Sequence, residues 1–185
     1  MNYEQVLANA TKILKSASIK SSKLDCEVLL SNVLKINREK MLVNLNKKIN
    51  HQEFINFNKL INRRKKNEPV AYIVGYKEFW NKKFKVNSDV LIPRPDTEIL
   101  VEEVIKLIKI NSSLNILDIG TGTGCVILSV LNERKKCYGI GLDISKKAIN
   151  IAKHNAKIQQ LKNRIKFINS SIDKFCVGKY DLIIS

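Results

Sequence analysis

The stretch from Asn115 to Asp143 restricts the fold more than any other part of the chain. The apolar run Asn115-Ile116-Leu117-Asp118-Ile119 enters a glycine loop, Gly120-Thr121-Gly122-Thr123-Gly124. A helix-like segment follows. A second apolar run, Tyr138-Gly139-Ile140-Gly141-Leu142, then ends on Asp143. This predicts a strand, a tight turn, a helix and a strand that stops on an acid. Glycines let the main chain approach a ligand with no side chain between them. An acid at the end of the second strand can accept both hydroxyls of a ribose, as in nucleotide-binding α/β units. The layout points to a ligand built on adenosine.

Glycine spacing narrows the ligand. A dinucleotide turn needs G-x-G-x-x-G, whereas here the third glycine arrives one residue early. No G-x-x-x-x-G-K-[ST] is present, so a phosphate cradle for ATP is not supported. Asp118-x-Gly120-x-Gly122-x-Gly124 resembles the first motif of S-adenosylmethionine-dependent methyltransferases. The spacing suits a ligand without a pyrophosphate. Asp118 can answer an ammonium or sulfonium, and loop amides can take a carboxylate. Asp143 would hold the ribose.

At 185 residues, size allows one or two domains. No apolar run is as long as a membrane span, and no secretory leader is recognisable at Met1, so a cytoplasmic protein is expected. Cys26, Cys125, Cys137 and Cys176 are scattered, without a C-x-x-C pair or histidines at metal spacing. They read as reduced thiols, and no metal is expected. His51 and His154 lie in polar stretches and read as surface residues. The net charge of +16 raises the question of a nucleic-acid partner. Lysines are spread over the whole chain, however. Only Arg63-Arg64-Lys65-Lys66 forms a compact run, and it reads as a solvated helix end. No specific nucleic-acid partner is expected.

Periodicity places helices first. Tyr3, Val6, Leu7, Ala10, Ile13, Leu14 and Ala17 share one face. Ser22-Lys23-Leu24-Asp25 reads as a capping box opening a second helix with the stripe Cys26, Leu29, Leu30, Val33 and Leu34. A short helix is expected over 38–45 and another over 51–66, stopped by Glu68-Pro69. These pieces form a helical bundle over residues 1–70. Residues 71–96 read as a linker. It carries a hairpin, with Phe79-Trp80 and Phe84-Lys85-Val86 flanking a turn at Asn81-Lys82, followed by the rigid elbow Pro93-Arg94-Pro95. A helix opens at Asp96-Thr97-Glu98, acids first. Ser145 caps a later helix with Ala148, Ile151, Ala152 and Asn155 on one face. Strands are expected over 164–169 and 180–185. The alternation implies an α + α/β chain: a helical bundle, a β-hairpin linker, and over 97–185 the first half of a doubly wound, Rossmann-like sheet.

The segments Glu68-Pro69-Val70-Ala71-Tyr72-Ile73-Val74-Gly75, Phe79-Trp80, Phe84-Lys85-Val86 and Leu91-Ile92-Pro93-Arg94-Pro95-Asp96-Thr97-Glu98 resemble the bacterial release-factor glutamine methyltransferases. The Pro-Arg-Pro-Asp-Thr-Glu elbow is more specific than the glycine loop, which most methyltransferases of this fold share. The resemblance covers nearly all 185 residues. It implies a class I methyltransferase sheet with S-adenosyl-L-methionine as methyl donor. The acceptor it implies is the glutamine amide nitrogen of the Gly-Gly-Gln tripeptide in class I peptide chain release factors, a step of translation termination. An N-terminal domain like residues 1–70 would help dock that partner. Cofactor contacts are implied for Asp118, Gly120, Thr121, Gly122, Thr123, Gly124, Asp143, Ser171 and Ile172. Arg94 and Glu98 would touch substrate or cofactor at the junction, or serve as a structural elbow.

The resemblance also implies an Asn-Pro-Pro-Tyr motif after the last strand, which aligns the amide nitrogen. It would follow Ser185. The expectation is therefore a chain that does not methylate glutamine by itself and whose last strand, apolar and at an edge, promotes association. A second departure is Ser171, which stands where the resemblance implies an acid facing adenine, so weaker cofactor binding is expected. Two rival readings compete with this one. One is a related amino-methyltransferase acting on a ribosomal protein or DNA adenine; the other is a non-catalytic module that binds a release factor or the ribosome.

Overall fold

The computed structural model describes residues 1–185, which divide into two compact units, Met1–Val74 and Gly75–Ser185. The first unit is helical: α1 (Tyr3–Ser16), α2 (Ser22–Leu34), α3 (Arg38–Leu42), α4 (His51–Lys65) and α5 (Val70–Val74). Asn2 and Gln5 form a reciprocal capping box at α1, and Asn50 and Glu53 form another at α4. The expected box at Ser22 is not made. Ser22 is the buried first residue of α2, and the Asp25 carboxylate instead receives Arg64 Nε at 2.7 Å and the Ser21 hydroxyl at 2.9 Å. A partner 39 residues away thus outcompetes a local one. Leu14, Cys26, Leu29, Leu30, Met41, Phe57 and Ile61 fill the core, whereas Ile13 lies outside it at 40% exposure.

The basic run at the end of α4 is only partly a solvated helix end. Arg63 grips both oxygens of Glu68 at 2.8 and 2.5 Å, and Arg64 also reaches the Glu68 carbonyl. These bonds fasten the turn into α5 to the helix that precedes it. Lys65 and Lys66 remain exposed.

The second unit opens with a hairpin, β1 (Tyr76–Phe79) and β2 (Lys82–Lys85), paired antiparallel with Tyr76 opposite Lys85. Its turn falls on Trp80 and Asn81, one residue earlier than the sequence suggested. Both have left-handed backbones, with φ of 48° and 55°, as a two-residue primed turn requires. There follow α6 (Thr97–Leu107), β3 (Asn115–Ile119), α7 (Cys125–Glu133), β4 (Tyr138–Asp143), α8 (Lys146–Ile158), β5 (Ile165–Asn169), a 3-10 turn (Ile172–Lys174) and β6 (Leu182–Ile184). Strand order is β5-β4-β3-β6, with every pair parallel. The order reverses at β3, so a crevice outside the carboxyl ends of β3 and β6 is the expected ligand position.

Register sorts the sheet residues into two faces. Ile116, Gly139, Ile165 and Leu182 align across the sheet, as do Asp118, Gly141, Phe167 and Ile184. The apolar members of this face join one core with Val101 and Val104 of α6, Ile127, Leu128 and Leu131 of α7, and Ile149 and Ala152 of α8. The opposite face carries Tyr138, 51% exposed, and Ile183, 59% exposed. Two arginines stop helices here by bonding their last carbonyls. Arg134 reaches Ile105 O of α6 and the carbonyl of Ile108 just past its end, and Arg164 reaches Leu131 O of α7. No helix of the chain is long and apolar enough to cross a membrane.

Candidate functional site

The candidate site forms where β3 gives way to the loop. Gly120, Gly122 and Gly124 have φ of 73°, 53° and 77°, a left-handed run that other residues adopt at a cost. A Cβ at Gly120 would meet nothing within 4 Å, and one at Gly122 only the Gly120 carbonyl at 3.8 Å. Space therefore lies above these two residues. Gly124 differs: its Cβ would press on Leu128, Phe167 and Ala152 at 3.1–3.5 Å, so this glycine packs the loop onto α7 and α8.

The loop is fixed from three sides. Thr121 N donates to Leu142 O at 2.8 Å, which ties it to β4. Gly122 N donates to Asp143 Oδ2 at 2.9 Å, while Ser145 N donates to Asp143 Oδ1 at 2.8 Å. One carboxylate thus joins the loop, the end of β4 and the start of α8. Each of its oxygens keeps a lone pair for a further donor. On the third side, Asn155 of α8, fully buried, donates to Thr123 O at 2.9 Å and to Lys85 O at 3.2 Å, and it accepts Lys85 N at 2.7 Å. The sequence marked Asn155 only as inward-facing. Its role as a brace between loop and hairpin depends on a partner 70 residues away.

Asp118 sits beneath the loop, 5% exposed. Its one partner is the Thr121 hydroxyl, at 2.6 Å from Oδ2. Burial pushes its pKa up to about 7; the Thr121 bond opposes the rise and the nearby Asp143 charge adds to it. A buried carboxylate so poorly compensated favours a cation beside it. Gly141, across the sheet in register with Asp118, makes this arrangement possible. A Cβ there would stand 2.9 Å from Thr121 Oγ1 and 2.6 Å from the Phe167 ring.

The other expected site residues take different places. Thr123 is buried, and its hydroxyl accepts Cys125 N at 3.3 Å. Burial is the main cause that pushes the Cys125 thiol up to about 11. Ser170 N donates to Asp143 O at 3.1 Å, which brings the segment after β5 beside the β4 acid. Ser171 precedes the 3-10 turn, and Ile172 is 45% exposed there. Glu98 belongs to the elbow: its Oε1 accepts Trp80 N at 2.9 Å. Arg94 is exposed, and of the six arginines it is the one whose guanidinium has no partner within the chain.

A parallel sheet, a glycine loop at its switch point, a buried acid under the loop and a second acid one strand over define a nucleoside-binding domain of the methyltransferase class. Sequence comparison agrees. Residues 110–185 match a methyltransferase domain, and residues 5–75 match the PrmC N-terminal domain. By sequence the chain is similar to release factor glutamine methyltransferases. It is 42% identical over 178 residues to the release factor glutamine methyltransferase of Buchnera aphidicola, covering 93% of this chain and 64% of that protein. It is 38% identical over 187 residues to that of Aliivibrio fischeri, covering 100% of this chain and 65% of that protein. A bifunctional methyltransferase of Rickettsia typhi is 38% identical over 201 residues, covering 98% of this chain and 39% of its own length. The chain therefore spans less than two thirds of these relatives. Among solved structures, a Pyrococcus horikoshii protein shares the fold, with a TM-score of 0.51 at 16% identity over 58% of this chain and 40% of that one.

S-adenosyl-L-methionine is the donor used by methyltransferase domains of this class. The residues present fit it. Asp118 is a buried acid lacking a cation, the space at Gly120 and Gly122 is open, and Asp143 retains acceptor capacity.

Proposed function

We propose that the complete protein methylates the side-chain amide nitrogen of the glutamine in the Gly-Gly-Gln tripeptide of class I peptide chain release factors. One observation carries the cofactor half of this reading: the buried Asp118–Thr121 pair under an open, left-handed glycine loop that Asp143 holds in place. The match of residues 5–75 to the PrmC N-terminal domain supports the acceptor half. When bound, the donor supplies a methyl group on a sulfonium that carries its own leaving group. The protein's share of the work is then binding and alignment. Asp118 accepts the ammonium of the methionine end. Asp143 accepts the ribose hydroxyls with the lone pairs that Gly122 and Ser145 leave free. Ile172 packs on the adenine, and Ser171 takes the place of the acid implied there. Arg94 is available for a carboxylate of substrate or cofactor, and residues 1–70 dock the release factor.

The Asn-Pro-Pro-Tyr motif implied for amide alignment is not among residues 1–185. We therefore assign cofactor binding and docking, not complete catalysis, to these residues. Calorimetry with S-adenosyl-L-methionine tests the first role. Binding to the 185-residue chain, lost in Asp143→Ala and Asp118→Leu, is the expected outcome. Transfer of labelled methyl to a class I release factor is expected only from a protein that also carries the tetrad. Absence of cofactor binding in such a longer protein would refute the reading.

A further inference from the structure

The first unit holds a groove of about 970 Å³ between α1, α2 and α3, closed by Leu45 just beyond α3. Its apolar lining includes Leu7, Leu24, Leu42 and Leu45. Leu24 is 50% exposed although it belongs to a helix whose other leucines are mostly buried. Lys12, Lys15, Lys20 and Lys23 stand around this lining, all exposed and none in an ion pair. Two acids line the groove, Glu4 and Glu27. Glu27 is nearly buried, and its Oε2 is gripped by Arg38 Nε at 2.7 Å and Nη2 at 2.6 Å. Five cations thus face two acids, one of which is already neutralised.

From this charge pattern we propose that the groove docks an acidic amphipathic helix of a protein partner. The helix would lay its apolar stripe on Leu24 and its neighbours and present carboxylates to the lysines. Apolar anchors at helical spacing, flanked by charge opposite to the groove's, are the usual terms of helix-in-groove binding. RNA is the less suitable occupant. The lining offers no aromatic side chain for base stacking, and its single arginine is committed to Glu27. The proposal rests on the docking role given above to residues 1–70, and it names the chemistry of the docked element.

The test uses the 185-residue chain and a fluorescein-labelled 18-residue probe helix, with leucines along one face and glutamates flanking them. Anisotropy is expected to show saturable binding that weakens at least tenfold in the triple variant Lys12→Glu, Lys15→Glu, Lys23→Glu. Leu24→Asp is expected to weaken it similarly, and raised salt to weaken it progressively. These positions are exposed, and circular dichroism checks that each variant keeps its helices. Probe binding that ignores both variants overturns the proposal. So does a labelled oligouridine that binds through the same lysines more tightly than the probe. Calorimetry with S-adenosyl-L-methionine on the same samples separates the two readings. Lysine-dependent probe binding without cofactor binding removes the cofactor-binding role given to these 185 residues and leaves the groove. Cofactor binding with no probe binding does the reverse.

Discussion

A carboxyl whose pKa stands near 7 changes charge within the range where most assays are run. Asp118 is such a group, raised from an ordinary 3.8 to about 7 mainly by burial. Because the folded state holds this proton more tightly than the unfolded chain, the group's stabilising contribution is complete below about 4. It fades as pH climbs through 7. A cation seated beside Asp118 favours the charged form, so ligand binding expels the proton. S-adenosyl-L-methionine affinity is therefore expected to rise from pH 6 to pH 8 in the native chain. In Asp118→Asn it should be weaker and nearly flat with pH, as read by calorimetry in buffers of differing ionisation enthalpy. Thr121 and Gly141 belong to the same device, one supplying the single hydroxyl bond and the other leaving room for it. The pattern Asp-x-Gly-x-Gly-x-Gly pointed to the acid and the loop. It gave no sign of Gly141, because nothing local in a strand sequence reports what a neighbouring strand needs cleared.

Among the elements, the brace made by Asn155 has the largest expected effect. Three hydrogen bonds from one buried amide join α8 to β2 and to the glycine loop. Removing the amide leaves Thr123 O without its partner in a buried site, and both backbone groups of Lys85 without theirs in a partly buried one. This costs roughly 2–4 kcal/mol by the usual penalties for orphaned groups. Asn155→Ala should lower the melting temperature of the second unit. It should also weaken cofactor binding beyond what the stability loss explains, since Thr123 O is part of the loop. Fluorescence melts with and without S-adenosyl-L-methionine would measure both effects. Local reading found α8 and its inward face from periodicity, and found β3, β4 and the loop from apolar runs and glycines. It missed by one residue at the hairpin, because Asn81 suits a left-handed position on either side of the turn while Trp80 gives no such hint. Trp80 is held there by carboxylates from two helices, Glu98 on its amide and Glu133 on its indole. The box at Ser22 failed for the same reason of range: Asp25 had a better partner in Arg64.

For the molecule as a whole, charge is distributed by residue type more than by location. Five of six arginines bond to acids or backbone carbonyls within the chain, whereas most lysines are exposed. A net charge of +16 therefore reflects a lysine-coated surface on which the groove of the first unit stands out by its apolar lining. The sequence showed the excess charge but not the groove, which three helices build together. β6 bonds to β3 on one side only, and Ile183 and Tyr138 remain open to solvent on one face of the sheet. For a polypeptide of these 185 residues, the consequence is a poor shelf life. Light scattering should grow with time and concentration, faster in high salt as lysine repulsion is screened. Ile183→Lys should slow that growth without altering the ligand crevice.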